Sequence, residues 1–494
     1  MSGIRVRASR CLLAALVTMT AACAADAPRQ NSAPQPLDEL RIGSFGSEQS
    51  VRGLVPLFSA EPLITVEWDG TPVFRIAESA TSAEDGTSLT LRLRSNVKFH
   101  NGEKVTAEAV AKLMSEPLRR RGISAISADD ELTLTLKFAQ PFGFRPETLS
   151  DVRLQDEINL QLRTGPFKVV SSDPPVLERF ADYYQGSPFV RRVTIKRYPS
   201  QRAALTAMMR GEVNFLHEVS REAIEFVQAG GDFQTYPLLR PYVIPLVFNL
   251  RHPILAKREV RVALNEAIDR EEVVRNGMRG HGQVAEGPYW PFLSTYTRGR
   301  YPSPYNPEAA KVRLDAAGFP VKRSGAEQPP SRFRFTCLVP AGDSRFERIA
   351  LVVQRQLLAV GVDMDLRTTT QLESNKTVKS RDFEAIIFEM VTGRTLDWPT
   401  VFWQSKNPYF DHGYSTADRA LARLQHARSS DEARLAVSEV MSHLRDDPPA
   451  IFLAIPREAR AADKAFYIPY ETDRDVLGTL WQLRPTQRAS AARR

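Results

Sequence analysis

Two segments alternate polar and apolar residues without a slip: Ser88 to Arg94 (SLTLRLR) and Glu131 to Phe138 (ELTLTLKF). A period of two sends every second side chain to one face, so each reads as a half-buried strand. Asp85-Gly86 and Asp129-Asp130 supply the turns before them. Glu39 to Ser44 and Val193 to Lys196 add two more strands. Helical patterns lie between: Thr106 to Met114, with Thr106 as N-cap, then Gln201 to Met209 and Val260 to Ala267. Arg345 to Val360 is a long amphipathic helix stopped by Gly361. Strands at Val362 to Arg367 and Phe383 to Phe388 follow, and helices at Asp418 to Ala427 and Asp431 to Leu444 close the order. Mixed strands and helices, with no repeat of fixed period, give an α/β architecture.

The chain has 494 residues, room for about three domains or two large lobes. It is 43% hydrophobic and 25% charged, which excludes a largely disordered chain and a polytopic membrane protein. The formal charge is +8, but Arg5, Arg7 and Arg10 stand at one end and Arg488, Arg493 and Arg494 at the other. The rest is nearly balanced, so the charge argues little for nucleic-acid binding.

Residues 1–25 read as a leader. The three early arginines form a positive start, Leu12 to Ala22 an apolar run, and small residues follow. That run is too short to span a bilayer. Thr20-Ala21-Ala22-Cys23 resembles a bacterial lipobox with Thr in place of the usual Leu, so Cys23 is a candidate for lipidation. Cleavage after Ala24 or Ala25 is the alternative. Residues 26–37, rich in Pro, Ala and polar residues, suit a flexible tether. Cys337 is the only cysteine beyond Cys11 and Cys23, so the body holds no disulfide framework. It lies in an apolar strand (RFTCLV) and reads as a buried, inert thiol.

Enzyme signatures are absent from the sequence: there is no G-x-x-x-x-G-K-[ST], no H-E-x-x-H and no G-x-S-x-G. The seven histidines are scattered, with none at i, i+4 spacing, so a zinc site is unsupported. His412, near several aromatics, reads as a loop histidine. Arg261 and Asp269 flank an apolar helix face, and a surface or interlobe ion pair is the plain reading. The richest stretch is Gly393 to Tyr414 (GRTLDWPTVFWQSKNPYFDHGY). Its aromatics offer rigid contact area and its charges can orient a ligand. A loop of aromatics buried in the second lobe is the competing reading.

Five segments in order carry a resemblance. Leu89 to Val110 (LTLRLRSNVKFHNGEKVTAEAV) is similar to a strand, a "vkFhdG" turn and a "tAedV" helix. Thr164 to Val169 (TGPFKV) is similar to "TGPykv", and Ala204 to Asn214 (ALTAMMRGEVN) to "al..GeiD", with Asn214 for the usual Asp. Phe248 to Val274 (FNLRHPILAKREVRVALNEAIDREEVV) is the most specific, and Tyr305 to Phe319 (YNPEAAKVRLDAAGF) is similar to "ydpekAk.lL.eAGy". The chain thus resembles the bacterial extracellular solute-binding proteins of family 5, the peptide and nickel ABC-importer class, from about Leu40 to Pro469. The opening "lDP" after the first strand is absent, which leaves the ligand open.

The resemblance implies a two-lobed periplasmic-binding-protein-like fold (type II, cluster C-like) with a discontinuous first lobe. Residues 38–248 and a returning 456–487 make lobe 1, residues 249–455 lobe 2, and residues 488–494 a basic tail. Crossovers are expected at Val243 to Asn249 and Ile451 to Pro456. It also implies an exported monomer, without catalysis or cofactor, that serves ABC permease and ATPase subunits; solute sensing or envelope chaperoning on the same scaffold is the alternative. The implied ligand-lining residues are Asp397, Trp398, Arg394, Trp403 and Tyr409, with Trp290 and Tyr289 from a second loop, Asn249 at a crossover and Phe45 after the first strand. Asp397 is the expected partner of a peptide amine, and Asp411 reads as a solvated carboxylate.

Overall fold

β1 (Glu39–Phe45) buries Leu40 and Ile42 and leaves Arg41 half-exposed, as alternation requires. It and all other elements come from a computed structural model. The model describes residues 37–119, 122–139, 149–150, 152–156, 158–219, 221–297, 304–322, 331–407 and 411–486. A short hairpin follows, β2 (Ile64–Val66) and β3 (Pro72–Phe74), then β4 (Ala77–Ser82) and β5 (Ser88–Leu93). Next come α1 (Ala107–Arg119), β6 (Ile123–Ala128) and β7 (Thr133–Phe138). The order β4-β5-β7-β6 makes a four-stranded antiparallel sheet. Leu89, Leu91 and Leu93 of β5 are fully buried, facing Val110, Met114 and Leu118 of α1 in one core. Thr106 caps α1 as its sequence suggests, accepting from the Ala109 N–H at 3.2 Å.

Among the described residues the main sheet has thirteen strands. β8 (Phe167–Ser172), β9 (Pro175–Arg179) and β10 (Arg192–Tyr198) lead to α2 (Gln201–Met209) and β11 (Phe215–Val219). β12 (Phe233–Leu239), β13 (Tyr242–Phe248), α3 (Arg258–Glu266), β14 (Phe333–Pro340), α4 (Ser344–Ala359), β15 (Val362–Thr369) and β16 (Ala385–Ile387) follow. α5 (Asp397–Trp403), α6 (Asp418–Gln425), α7 (Ser430–Asp446) and β17 (Ala450–Asp463) lie toward the end. The strand order is β8-β9-β10-β1-β11-β17-β13-β16-β14-β15, with β12 also on β17. In the second half, helices cover both faces. Phe248, Phe335 and Cys337 pack with α3 and α4, whereas Val247 and Leu338 pack with α6 and α7. This is the three-layer, two-lobed α/β arrangement expected of a periplasmic binding protein.

Two polar details differ from, or sharpen, the sequence reading. Arg261 and Asp269 do not pair. Arg261, 2% exposed, bonds Asp447 and the carbonyls of Leu255, Ala256 and Pro448. Asp269 instead caps the next turn, accepting from the Glu272 N–H at 3.1 Å. Each group found a nearer partner that sequence spacing does not reveal. Asn214, where the resembling pattern has Asp, accepts from the Arg41 N–H at 2.7 Å and donates to Glu39 O at 2.8 Å. A carboxylate could do only the first.

Candidate ligand-binding cleft

β17 is the longest strand, fourteen residues, and it serves both halves of the sheet. Ala450 to Ala454 pair antiparallel with β13, and Arg457 to Asp463 pair with β12. Only Arg240-Pro241 separates β12 from β13, so the chain passes between halves twice at one place. Arg240 N–H donates to Pro456 O at 2.9 Å and fastens the two passages.

A cavity of about 640 Å³ lies there, lined from both halves. Phe45 ends β1, Ser200 to Arg202 open α2, and Glu218 comes from β11. Gly342 to Arg345 and Arg348 open α4 from the other half, and Arg240 and Glu458 stand at the crossover. A second cavity, about 410 Å³, is lined by residues such as Glu48, Lys196, Tyr198 and Glu212. All its lining residues precede the crossover, so it cannot report on closure between halves.

The larger cavity is charged in both signs. Arg240 Nη1 meets Glu458 at 3.0 Å and Glu389 at 3.1 Å. Arg345 Nη1 meets the other oxygen of Glu389 at 3.0 Å, and its Nη2 meets Asp343 at 2.8 Å. Glu389 therefore links the crossover to α4. Burial alone would lower the proton affinity of Arg240, but Glu389 and Glu458 raise it. Glu218 accepts from Gln201 Nε2 at 2.8 Å. Burial, then the neighbouring Glu458, push its carboxyl up to about 7. Behind this wall, Arg460 and Asp475 form a two-pronged pair at 3.1 and 2.8 Å. Burial, with Arg460 next to it, holds His217 neutral, lowered to about 3.

An aromatic clasp joins the halves elsewhere. The β2–β3 tip carries Trp68, whose ring lies 5.8 Å from Trp290 and 6.0 Å from Phe292. Trp290 Nε1 donates to Trp68 O at 3.1 Å, and Arg394 sits 5.1 Å over the Trp68 ring. Gly70 makes the tip possible. Its φ is +86°, and a Cβ there would come within 2.5 Å of Leu293.

The residues expected at the cleft scatter. Phe45 lines the charged cavity. Arg394 and Trp290 join the clasp, and Trp398 packs beside Phe402 on the same apolar cluster. Tyr289 and Trp403 lie in that core, buried. Asn249 is also buried, its amide donating to Phe383 O at 2.7 Å and Arg381 O at 3.2 Å. Asp397 opens α5, but its side chain, like Tyr409, Cys23 and the leader, lies outside the described residues. Asp411 is not simply solvated: Arg251 and Arg381 hold it at 2.5 and 3.0 Å. His412 is a core group. Its Nδ1 accepts from the Tyr414 N–H at 3.0 Å, which fixes the proton on Nε2, 2.9 Å from Phe402 O. Burial also keeps it neutral. Cys337 is fully buried, and burial raises its thiol.

Glu218, Arg240, Arg345, Glu458 and Trp68 escaped the sequence reading. A signal existed for two of them: FLHEV and AIFLAIPREARAAD are apolar strands interrupted by charge. Buried charges need partners, and such interruptions mark where partners must converge.

Among the described residues no cluster of His, Cys, Asp and Glu is arranged to hold a metal ion, and no helix is long and apolar enough to cross a membrane. Residues 71–411 match the family model of bacterial extracellular solute-binding proteins, family 5. The Nickel-binding periplasmic protein of Escherichia coli is 26% identical over 382 residues, 70% of this chain and 72% of that protein. Oligopeptide-binding protein AppA of Bacillus subtilis is 24% identical over 430 residues, 78% of each chain. The solved structure of that AppA in complex with a nonapeptide superposes with a TM-score of 0.71 at 21% identity, covering 91% of this chain and 99% of that one. The chain therefore belongs to the bacterial extracellular solute-binding proteins of family 5, and it is a binding protein, not an enzyme.

Proposed function

We propose that this protein is the substrate-binding component of an ABC importer. It captures a dipeptide or oligopeptide in the cleft between its lobes and hands it to a membrane permease, whose partner subunits hydrolyse the ATP. The lobes are residues 38–240 with 456–487, and residues 241–455; the expected boundary at 248 moves to Arg240-Pro241 because β13 packs in the second half. The observation that carries the reading is the cavity lined from both sides of a double crossover, with charges of both signs. Its volume is within the range of small-ligand sites, and a peptide brings one charge of each sign to meet it. The oligopeptide-binding relative supports the peptide class. The leader supports export, with Cys23 as the lipid anchor and the protein working as a monomer in the periplasm or at the outer face of the cell membrane. Asp397, at the start of α5, receives the peptide's amine.

The test is mass spectrometry of whatever the purified protein carries, followed by calorimetry. A short peptide is the expected find. Asp397→Asn should then weaken its binding about tenfold or more, since a charge-assisted hydrogen bond is lost and an ammonium left unpaired. Recovery of a neutral sugar would end the peptide reading.

A further inference from the structure

The β2–β3 tip is held by segments that are themselves fixed to the crossover. On the second lobe, the Thr392 and Gly393 N–H groups donate to Pro241 O at 2.9 and 3.3 Å, which fixes the segment carrying Arg394. On the first, the Leu239 N–H donates to Asp473 O at 2.9 Å and Arg457 pairs with Asp473 at 2.8 Å, which fixes the segment carrying Arg474. The tip meets both. Arg394 sits over the Trp68 ring, and Asp69, whose carboxyl is held low first by the Thr71 N–H, also feels Arg474. Trp290, fully buried, and Phe292 pack on Trp68 from the second lobe.

The cavity begins where this seam ends. Arg240 lines it and stacks 4.2 Å over the Tyr242 ring, and Tyr242 pairs with Val391, directly before Thr392. Arg240, Tyr242 and Val391 thus make one continuous wall from the cavity to the clasp. The space on the cavity side is about 640 Å³. An extended residue in packed sheets occupies about 160 Å³, from a rise of about 3.4 Å, about 4.8 Å between strands and about 10 Å between sheets. The cavity therefore has room for about four such residues.

We propose that the clasp is a length stop: Trp68, seated on Trp290, Phe292 and Arg394, shuts the cleft beside the crossover, so the protein takes peptides of about two to four residues and discriminates against longer ones. This rests on the peptide reading and narrows it. Trp290 and Arg394, expected to line the ligand, are given instead to sealing the cleft. A longer peptide must hold the tip away from the second lobe. It then loses the ring contacts, the Arg394 contact and the Trp290 hydrogen bond to Trp68 O. Contacts of that kind are together worth about tenfold in affinity.

Calorimetry tests this with the tripeptide Ala-Ser-Ala and with a nonapeptide made of three such repeats. The native protein should bind the tripeptide about tenfold or more tighter than the nonapeptide. Trp68→Ala should narrow that gap to about threefold or less, with the tripeptide severalfold weaker and the nonapeptide tighter. Arg394→Gln, which removes only the cation–π contact, should narrow it by about twofold or more. A native protein that binds the nonapeptide as tightly as the tripeptide overturns the length stop and leaves the peptide reading standing. A gap that both variants leave unchanged does the same. Should Trp68→Ala bind neither peptide, Arg394→Gln decides by the same criterion. A native protein that binds neither peptide ends the peptide reading, and the length stop with it.

Discussion

Glu389 holds two arginines that arrive from far apart in the chain, Arg240 at the crossover and Arg345 at the start of α4. Its side chain is 16% exposed and that of Arg345 only 6%. Deleting one member of such a group strands the others, at a cost of roughly 3–5 kcal/mol. Glu389→Ala should therefore lose about that much stability in urea denaturation. Glu308→Ala, which removes an exposed partner of Lys311, should cost less than about 1 kcal/mol. Equal losses would show that the network is not a structural keystone. pH works on the same wall. Glu218 is raised in the folded chain, so its contribution is full below the ordinary carboxylate range and is lost as pH rises through about 7. Glu218→Gln should flatten the fall in stability between pH 5 and 8, and an unchanged profile would remove Glu218 as its source. None of this pairing was legible beforehand. Residues 218, 240, 345, 389 and 458 are distant in sequence, and no local pattern says which buried charges will meet. Arg261 makes the same point: its helix was clear, its partner Asp447 was not.

Local pattern was far more informative about elements. The period-two run SLTLRLR became β5 with its leucines buried, Gln201–Met209 became α2, and Gly361, at φ +83°, ends the turn after α4. These elements follow from backbone rules that act within one turn or one pleat. β17 shows the limit. Its apolar start announces a core strand, but its role as a strand shared by both lobes depends on pairings 200 or more residues away. The β2–β3 tip is another case. EWDGTP reads as an ordinary turn, and only the fold carries Trp68 to Trp290, Phe292 and Arg394. That clasp bridges lobes away from the crossovers, so it should hold the closed form. Trp68→Ala removes ring contacts and a cation–π contact worth about 1–2 kcal/mol. It should raise the solute's dissociation rate severalfold, with association nearly unchanged, in surface plasmon resonance. A dissociation rate equal to that of the native protein would make the clasp a bystander.

At the scale of the whole molecule, the sheet is continuous through one shared strand, and among the described residues two chain passages cross beside the cavity. Few dihedral angles need to change for the lobes to move as bodies. The cavity is lined from both halves of the sheet, so under the proposed closure a solute that contacts both walls favours the closed form by its differential affinity. The general two-lobed plan was legible from five ordered motifs. The cleft's chemistry was not, because its residues come from five elements and the aromatic segment expected to dominate it, Gly393 to Tyr414, is largely committed to the second lobe's core and the clasp. Capture should come from closure between the lobes. Small-angle X-ray scattering of the same preparation, first stripped of ligand and then saturated with the solute identified by mass spectrometry, tests it most directly. The saturated protein should have the smaller radius of gyration; an unchanged radius, with the solute demonstrably bound in the cleft, would exclude closure.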